Sequence, residues 1–157
     1  MDYIIREMTE TEYPLLNDFL YEAIYIPKGF TPPPKSIINI PELRIYIADF
    51  GELQNDYCLV AECCEKIVGA VWTRIMNDYG HIDDETPSLA ISLYKEYRGL
   101  GIGTAMIRKM LKNLKERGYR HVSLSVQKSN YAVKLYRKVG FEIVKENQEE
   151  YIMVCKI

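Results

Sequence analysis

Arg98-Gly99-Leu100-Gly101-Ile102-Gly103 is the stretch on which the fold of this chain turns. It lies between an apolar, strand-like run and a strongly periodic helical segment. Glycines at alternate positions remove Cβ atoms where a backbone must turn tightly or lie against something else. The helix that follows contributes N–H groups without intrahelical partners and the positive end of its dipole. Together these make an anion site suited to a phosphate or pyrophosphate.

Three phosphate-binding patterns can be tested against it. The P-loop needs G-x-x-x-x-G-K-[ST], and no Gly-Lys-Ser/Thr triplet occurs. The dinucleotide fingerprint needs Gly or Ala at its sixth position, where Thr104 or Met106 stands, and the chain does not begin with a βαβ unit. Arg/Gln-x-x-Gly-x-Gly/Ala is met by Arg98, Gly101 and Gly103.

Outward from this turn, hydrophobic periodicity and turn residues mark the elements. Residues 3–8 read as a strand and 12–24 as a helix capped by Thr9 or Thr11, followed by a proline-stiffened loop over 26–34. A short helix is expected from Pro41 to about Phe50. Residues 57–63 and 67–76 form a hairpin through Cys64-Glu65-Lys66, and 77–87 is an acidic loop. Then come a strand over 88–94, the glycine turn, and a helix over about 101–117 stopped by Gly118. A strand over 121–126, a helix over 130–139 stopped by Gly140, and strands over 141–145 and 150–156 complete the chain. Antiparallel-looking strands before a βαβ unit predict a mixed α/β sheet. Residues 1–157 read as a single domain, without linker or repeat.

Composition is that of a globular protein, 48% hydrophobic and 27% charged, with no run near the roughly 18–20 apolar residues of a membrane span. The acidic N-terminus is unlike a secretory signal. Cys58, Cys63, Cys64 and Cys155 show no disulfide spacing, and Cys58, Cys63 and His81 lack the paired spacing of a zinc site, so no metal and a cytoplasmic location are expected. The net charge of −2 hides a basic block, 12 Lys/Arg against 2 Asp/Glu over residues 95–138. It begins at the glycine turn and suits a multiply charged anionic ligand. The acidic remainder and the lack of a basic-aromatic array argue against nucleic acid.

The setting of the glycine turn resembles the GNAT superfamily of acyl-CoA-dependent N-acetyltransferases. The core of the match is Ser88 to Met106. Downstream, Asn130-Tyr131-Ala132-Val133-Lys134-Leu135-Tyr136-Arg137-Lys138-Val139-Gly140-Phe141 is similar to the family's second signature, with Ala132 one position earlier than in some members. With Ile67-Val68-Gly69, the resemblance is strong over about residues 57–145. It implies a mostly antiparallel sheet in which the fourth and fifth strands form a splayed parallel pair, flanked by helices.

The resemblance also implies residue roles. Arg98, Gly99, Leu100, Gly101, Ile102, Gly103 and Thr104 would hold the acetyl-CoA pyrophosphate through backbone N–H groups. Ile91, Ser92 and Leu93 would carry the pantetheine arm on a strand edge, with an N–H near Leu93 stabilising the oxyanion. Asn130 would cap its helix and touch the cosubstrate. Tyr136, on a helix face with Ala132, Leu135 and Val139, would protonate the departing thiolate, a transfer uphill by about 2 kcal/mol at reference pKa values. A general base is expected near the start of the fourth strand, where Ser88 stands and Glu85 is the nearest choice. The acceptor, a small amine or peptide, would sit among Tyr21 to Pro34 and Glu146 to Tyr151, lined by Tyr25, Phe30 and Trp72. The acidic balance of these regions favours a cationic amine, attacking directly without a covalent enzyme intermediate. A homodimer is compatible with this fold. The alternative is a catalytically weak acyl-CoA-binding regulatory protein.

Overall fold

A computed structural model describes residues 1–157. Strands β1 (Ile4–Glu7), β2 (Tyr57–Cys63), β3 (Lys66–Arg74), β4 (Ser88–Leu93), β5 (His121–Gln127), β6 (Glu142–Glu146) and β7 (Glu150–Lys156) form one sheet in the order β1-β2-β3-β4-β5-β7-β6. Helices α1 (Leu16–Glu22) and α2 (Pro41–Arg44) cover one face, and α3 (Ile102–Glu116) and α4 (Ala132–Lys138) the other. Every pairing is antiparallel except β4 with β5, which run parallel.

That parallel pair decides the architecture. β4 pairs with β3 over its whole length, and β5 pairs with β7 from His121↔Lys156 to Gln127↔Glu150. Between themselves β4 and β5 pair only at Ser88↔Ser123, where the Ser123 N–H donates to the Pro87 carbonyl at 3.0 Å. Each strand is held on its outer side, so the two diverge as a V toward their C-terminal ends.

The strands at the centre read as near-continuous apolar runs because helices cover both faces. Alternation sends Leu59, Val71, Leu89, Leu124 and Met153 into the cluster under α3, against Ile102, Met106, Ile107, Met110 and Leu114. Val60, Ala70 and Trp72 face the opposite cluster with Leu16, Phe19, Leu20, Ile47 and Phe50. Arg74 and Asp56 form a buried two-bond ion pair at 2.8 and 2.9 Å, and Arg74 also donates to the Ile45 carbonyl at 3.0 Å. This anchors the loop before β2 to the end of β3, since unpairing either charge inside the protein is costly.

Several elements depart from the expected bounds. The first helix opens as a 3₁₀ turn over Glu10–Leu15 that contains Pro14, which has no N–H to donate, and becomes α-helical only from Leu16 to Glu22. The helix at Pro41 is one turn, continued to Gly51 by turns, with a further 3₁₀ turn over Lys35–Asn39 before it. The hairpin turn is the two residues Cys64 and Glu65, both at positive φ, so Lys66 already pairs with Cys63 and β3 ends at Arg74 rather than residue 76. Gly118 and Gly140 stop their helices at positive φ, with N–H bonds from Tyr119 back to Leu114 and from Phe141 back to Tyr136.

Candidate active site

The open side of the V has a backbone edge. The Tyr94 N–H donates to the Val68 carbonyl at 3.0 Å, which fixes the alternation along β4. Ser92 therefore points its backbone groups at β3, while those of Ile91 and Leu93 point into the gap toward β5. The Ser92 hydroxyl is turned away too, donating to the Phe19 carbonyl at 2.6 Å. Of the three β4 residues expected along the ligand arm, Ile91 and Leu93 thus present N–H groups to the V.

β4 leads through a short 3₁₀ turn, Lys95–Tyr97, into the glycine turn. Gly99 and Gly101 lie at φ +74° and +86°, where a side chain is strained, and a Cβ on either would meet no atom within 4 Å. A side chain at either would project into open space. Gly103 differs: its Cβ would rest 3.6 Å from Leu93 and 3.9 Å from Leu135, ordinary packing distances. The Ala105 N–H is satisfied by the Gly101 carbonyl at 3.2 Å, so the N–H groups of Ile102, Gly103 and Thr104 begin the helix without intrahelical acceptors. No acidic residue stands in that first turn and no side chain caps it. These residues fit a bound pyrophosphate.

The Arg98 side chain has a different task. Its Nε donates to the Leu93 carbonyl at 2.9 Å, and its Nη2 reaches Glu22 Oε2 at 3.0 Å and the Glu22 carbonyl at 3.3 Å. It pins the exit of β4 to the end of α1.

On the α4 side, the Asn130 side-chain oxygen accepts the Ala132 N–H at 2.9 Å and so caps the helix from two residues before its first full turn. Tyr136 is half-buried and packs edge-on against Phe141, with ring centroids 6.0 Å apart. Burial alone pushes its hydroxyl pKa up to about 12.

Glu85 is not part of this assembly. It is exposed in the loop before β4, donating its N–H to Asp83 Oδ1 at 2.8 Å. That is the closed end of the V, roughly 20 Å of strand from the glycine turn at about 3.3 Å per residue. Trp72, expected near the acceptor, is core: it is 1% exposed and donates to the Tyr46 carbonyl at 3.1 Å. Phe30 is 70% exposed. Tyr25 joins the two walls of the V, its hydroxyl donating to the Ser129 carbonyl beyond β5 at 3.0 Å. Cys58 and Cys63 belong to opposite core clusters, on opposite faces of the sheet.

The α1/α2 side of the V carries a polar wall that residue spacing did not reveal. Asp78 accepts from the Tyr46 hydroxyl at 3.0 Å and from the Ser88 hydroxyl at 3.0 Å. Gly80 brings that loop against β5: its Cβ would lie 3.4 Å from the Leu124 carbonyl carbon and 3.4 Å from the Ser125 nitrogen. Further along, Gln127 donates to Glu150 at 3.3 Å. Burial, and then the charge of Glu149, raise the Glu150 pKa. Burial, and then the charge of Asp78, raise that of Tyr46. The one signal in the sequence was the polar alternation of Ser123, Ser125 and Gln127 along an otherwise apolar strand.

A mixed sheet splayed between two parallel strands, with the splay running into a glycine turn and a helix N-terminus, is the GNAT acyltransferase fold. The family model "Acetyltransferase (GNAT) family" matches residues 20–141, and the chain belongs to that family of acetyltransferases. An N-alpha-acetyltransferase of Sulfurisphaera tokodaii is 32% identical over 114 residues, 62% of this chain and 68% of that protein. The [ribosomal protein bS18]-alanine N-acetyltransferase of Haemophilus influenzae is 35% identical over 68 residues, 43% of this chain and 47% of that protein. Among solved structures, the PaiA N-acetyltransferase of Thermoplasma acidophilum in complex with coenzyme A superposes with a TM-score of 0.74 at 19% identity, covering 100% of both chains. No helix is long and apolar enough to cross a membrane.

Proposed function

We propose that this chain is a cytoplasmic N-acetyltransferase that moves the acetyl group of acetyl-CoA to a primary amine by direct attack in a ternary complex. The observation that carries this reading is the continuity of the V-shaped gap with the glycine turn. A backbone edge for the pantetheine arm runs directly into an anion-binding helix N-terminus. The family match and the coenzyme A complex of a structural neighbour support it. Two relatives whose names specify α-amino or alanine acetylation support an amine acceptor. The four free cysteines suit a reducing compartment.

Each residue then has a chemical task. The strand edge at Ile91 carries the pantetheine arm, and the Leu93 N–H stabilises the oxyanion that forms when the amine attacks the thioester carbonyl. Gly99 to Thr104 hold the pyrophosphate, and Arg98 fixes the strand exit that joins the two. Asn130 orders the start of α4, which presents Tyr136. With its pKa near 12, the Tyr136 hydroxyl stays protonated at neutral pH. Full transfer to a thiolate of ordinary pKa, about 8.5, is uphill by roughly 5 kcal/mol. Desolvation raises a buried thiol as well and narrows that gap. Tyr136 therefore acts first as a hydrogen-bond donor to the leaving sulfur.

The test is a panel of amines, including peptides with free N-termini, incubated with acetyl-CoA and read by thiol release beside Tyr136→Phe. Turnover of at least one amine, reduced in the variant, is expected. Tight coenzyme A binding with no turnover of any amine would establish the regulatory alternative instead.

A further inference from the structure

We propose that Glu150 is the group that removes the proton from the acceptor ammonium, acting from the face of the sheet opposite Tyr136. The inference rests on the acetyltransferase reading and deepens it.

Three geometric observations carry it. The first is the face. Val122, Leu124 and Val126 of β5 and Tyr151, Met153 and Cys155 of β7 pack in the cluster under α3 and α4. Alternation therefore turns Ser123, Ser125, Gln127 and Glu150 to the α1/α2 side. Tyr136, which meets the leaving sulfur, belongs to the α3/α4 side. An amine adds to one face of the thioester plane; with Tyr136 occupying the α3/α4 side, the side left to the amine is the α1/α2 side, that of Glu150.

The second is position along the V. Glu150 opposes Gln127, the last residue of β5, at the open end where β4 and β5 are no longer paired. Glu85, by contrast, lies beyond the closed end.

The third is availability. Both Asp78 oxygens already accept hydrogen bonds, from Tyr46 and Ser88. Glu150 Oε1 takes one long bond from Gln127, at 3.3 Å, and Glu150 forms no salt bridge. The nearby cation Lys128 is engaged by Glu146 at 2.9 Å and stacks over Tyr151. The titratable groups around Glu150 are thus Glu149 in the turn just before its strand, Tyr46 and Asp78 from the facing loops, and Lys128 beyond β5. Burial and the Glu149 charge raise its pKa, which strengthens it as a base.

The steps balance. The Glu150 carboxylate accepts one proton from the ammonium and becomes a carboxylic acid. The freed nitrogen lone pair forms the C–N bond, and the C–S bond breaks with its electron pair on sulfur. The second nitrogen proton goes to the thiolate through Tyr136 or solvent, and Glu150 returns its proton to water.

The experiment is the pH profile of kcat/KM for wild type, Glu150→Gln, Glu150→Asp and Asp78→Asn, with the best amine of the panel, beside the coenzyme A dissociation constant of each. The expected wild-type profile has an acidic limb above the ordinary carboxylate range. Glu150→Gln should lower kcat/KM about 10²–10³-fold near neutrality and move the limb up toward the pKa of the amine itself. Its coenzyme A affinity should stay within twofold, showing that the fold and the donor site are intact. Glu150→Asp should restore the limb at reduced rate, and Asp78→Asn should leave the limb in place. A wild-type rate and limb in Glu150→Gln, or a limb that disappears in Asp78→Asn alone, would overturn the assignment of Glu150. Wild-type protein that binds coenzyme A but acetylates no amine would overturn the underlying reading, and this one with it.

Discussion

The two walls of the V are built on opposite principles. The β4 wall is one continuous segment, from Ser88 through the glycine turn into α3, and the groups it presents to the gap are backbone N–H groups. The polar wall on the α1/α2 side is assembled from distant segments, Tyr46 with Asp78 and Gln127 with Glu150, and the groups it presents are side chains. A backbone-built site tolerates side-chain truncation and depends on the conformation that glycine permits. A side-chain-built site does the reverse. Under the proposed function, the first takes a donor common to the family and the second leaves the acceptor to individual side chains.

Substitutions can break or sharpen this contrast. The largest effect is expected from Gly101→Val. A β-branched residue at φ +86° is strained and puts atoms into the space kept for the anion. Coenzyme A affinity should fall about 100-fold by calorimetry, and retained affinity would mean that the turn does not hold the ligand. Next, Tyr136→Phe should lower kcat about 10- to 50-fold while coenzyme A binding is unchanged, because the lost hydrogen bond matters only as charge develops on sulfur. With a hydroxyl pKa near 12, the wild-type rate should show no alkaline loss from Tyr136 below about pH 11.

Arg98→Ala tests a side chain inside the backbone-built wall. Removing its bonds to Leu93 and Glu22 should cost roughly 1–2 kcal/mol, discounted for its exposed position. That corresponds to a melting temperature lower by a few degrees. Smallest of all, Gly103→Ala and Glu85→Gln should change kcat/KM less than twofold. The first places its Cβ in ordinary packing contact, and the second alters an exposed loop beyond the closed end of the sheet.

Legibility in the sequence followed the same division. The succession of strands and helices along the chain, the stops of α3 and α4 at Gly118 and Gly140, and the glycine turn were readable because each depends on local periodicity or on a backbone conformation that one residue type permits. The first helix starts later than expected because its start was read from the Thr9 and Thr11 caps, whereas the backbone after Thr9 winds as a 3₁₀ turn across Pro14 before the α-helix begins at Leu16. Ser92 and Trp72 were misplaced for a related reason. Spacing shows that a residue alternates along a strand, but only pairing to β3 shows which groups the gap receives. Arg98 matched its motif, yet its guanidinium turned out to serve β4 and α1.

By itself the sequence determined the mixed sheet, the glycine turn that opens α3, and the helix that carries Tyr136. These features are local, and local backbone chemistry is written in consecutive residues. Only the tertiary structure decided what lines the α1/α2 side of the V. Gln127 and Glu150 meet because β5 pairs with β7, and Tyr46 meets Asp78 because one loop folds over β5. Such contacts arise from strand pairing and burial between distant segments, so no spacing within any one segment records them.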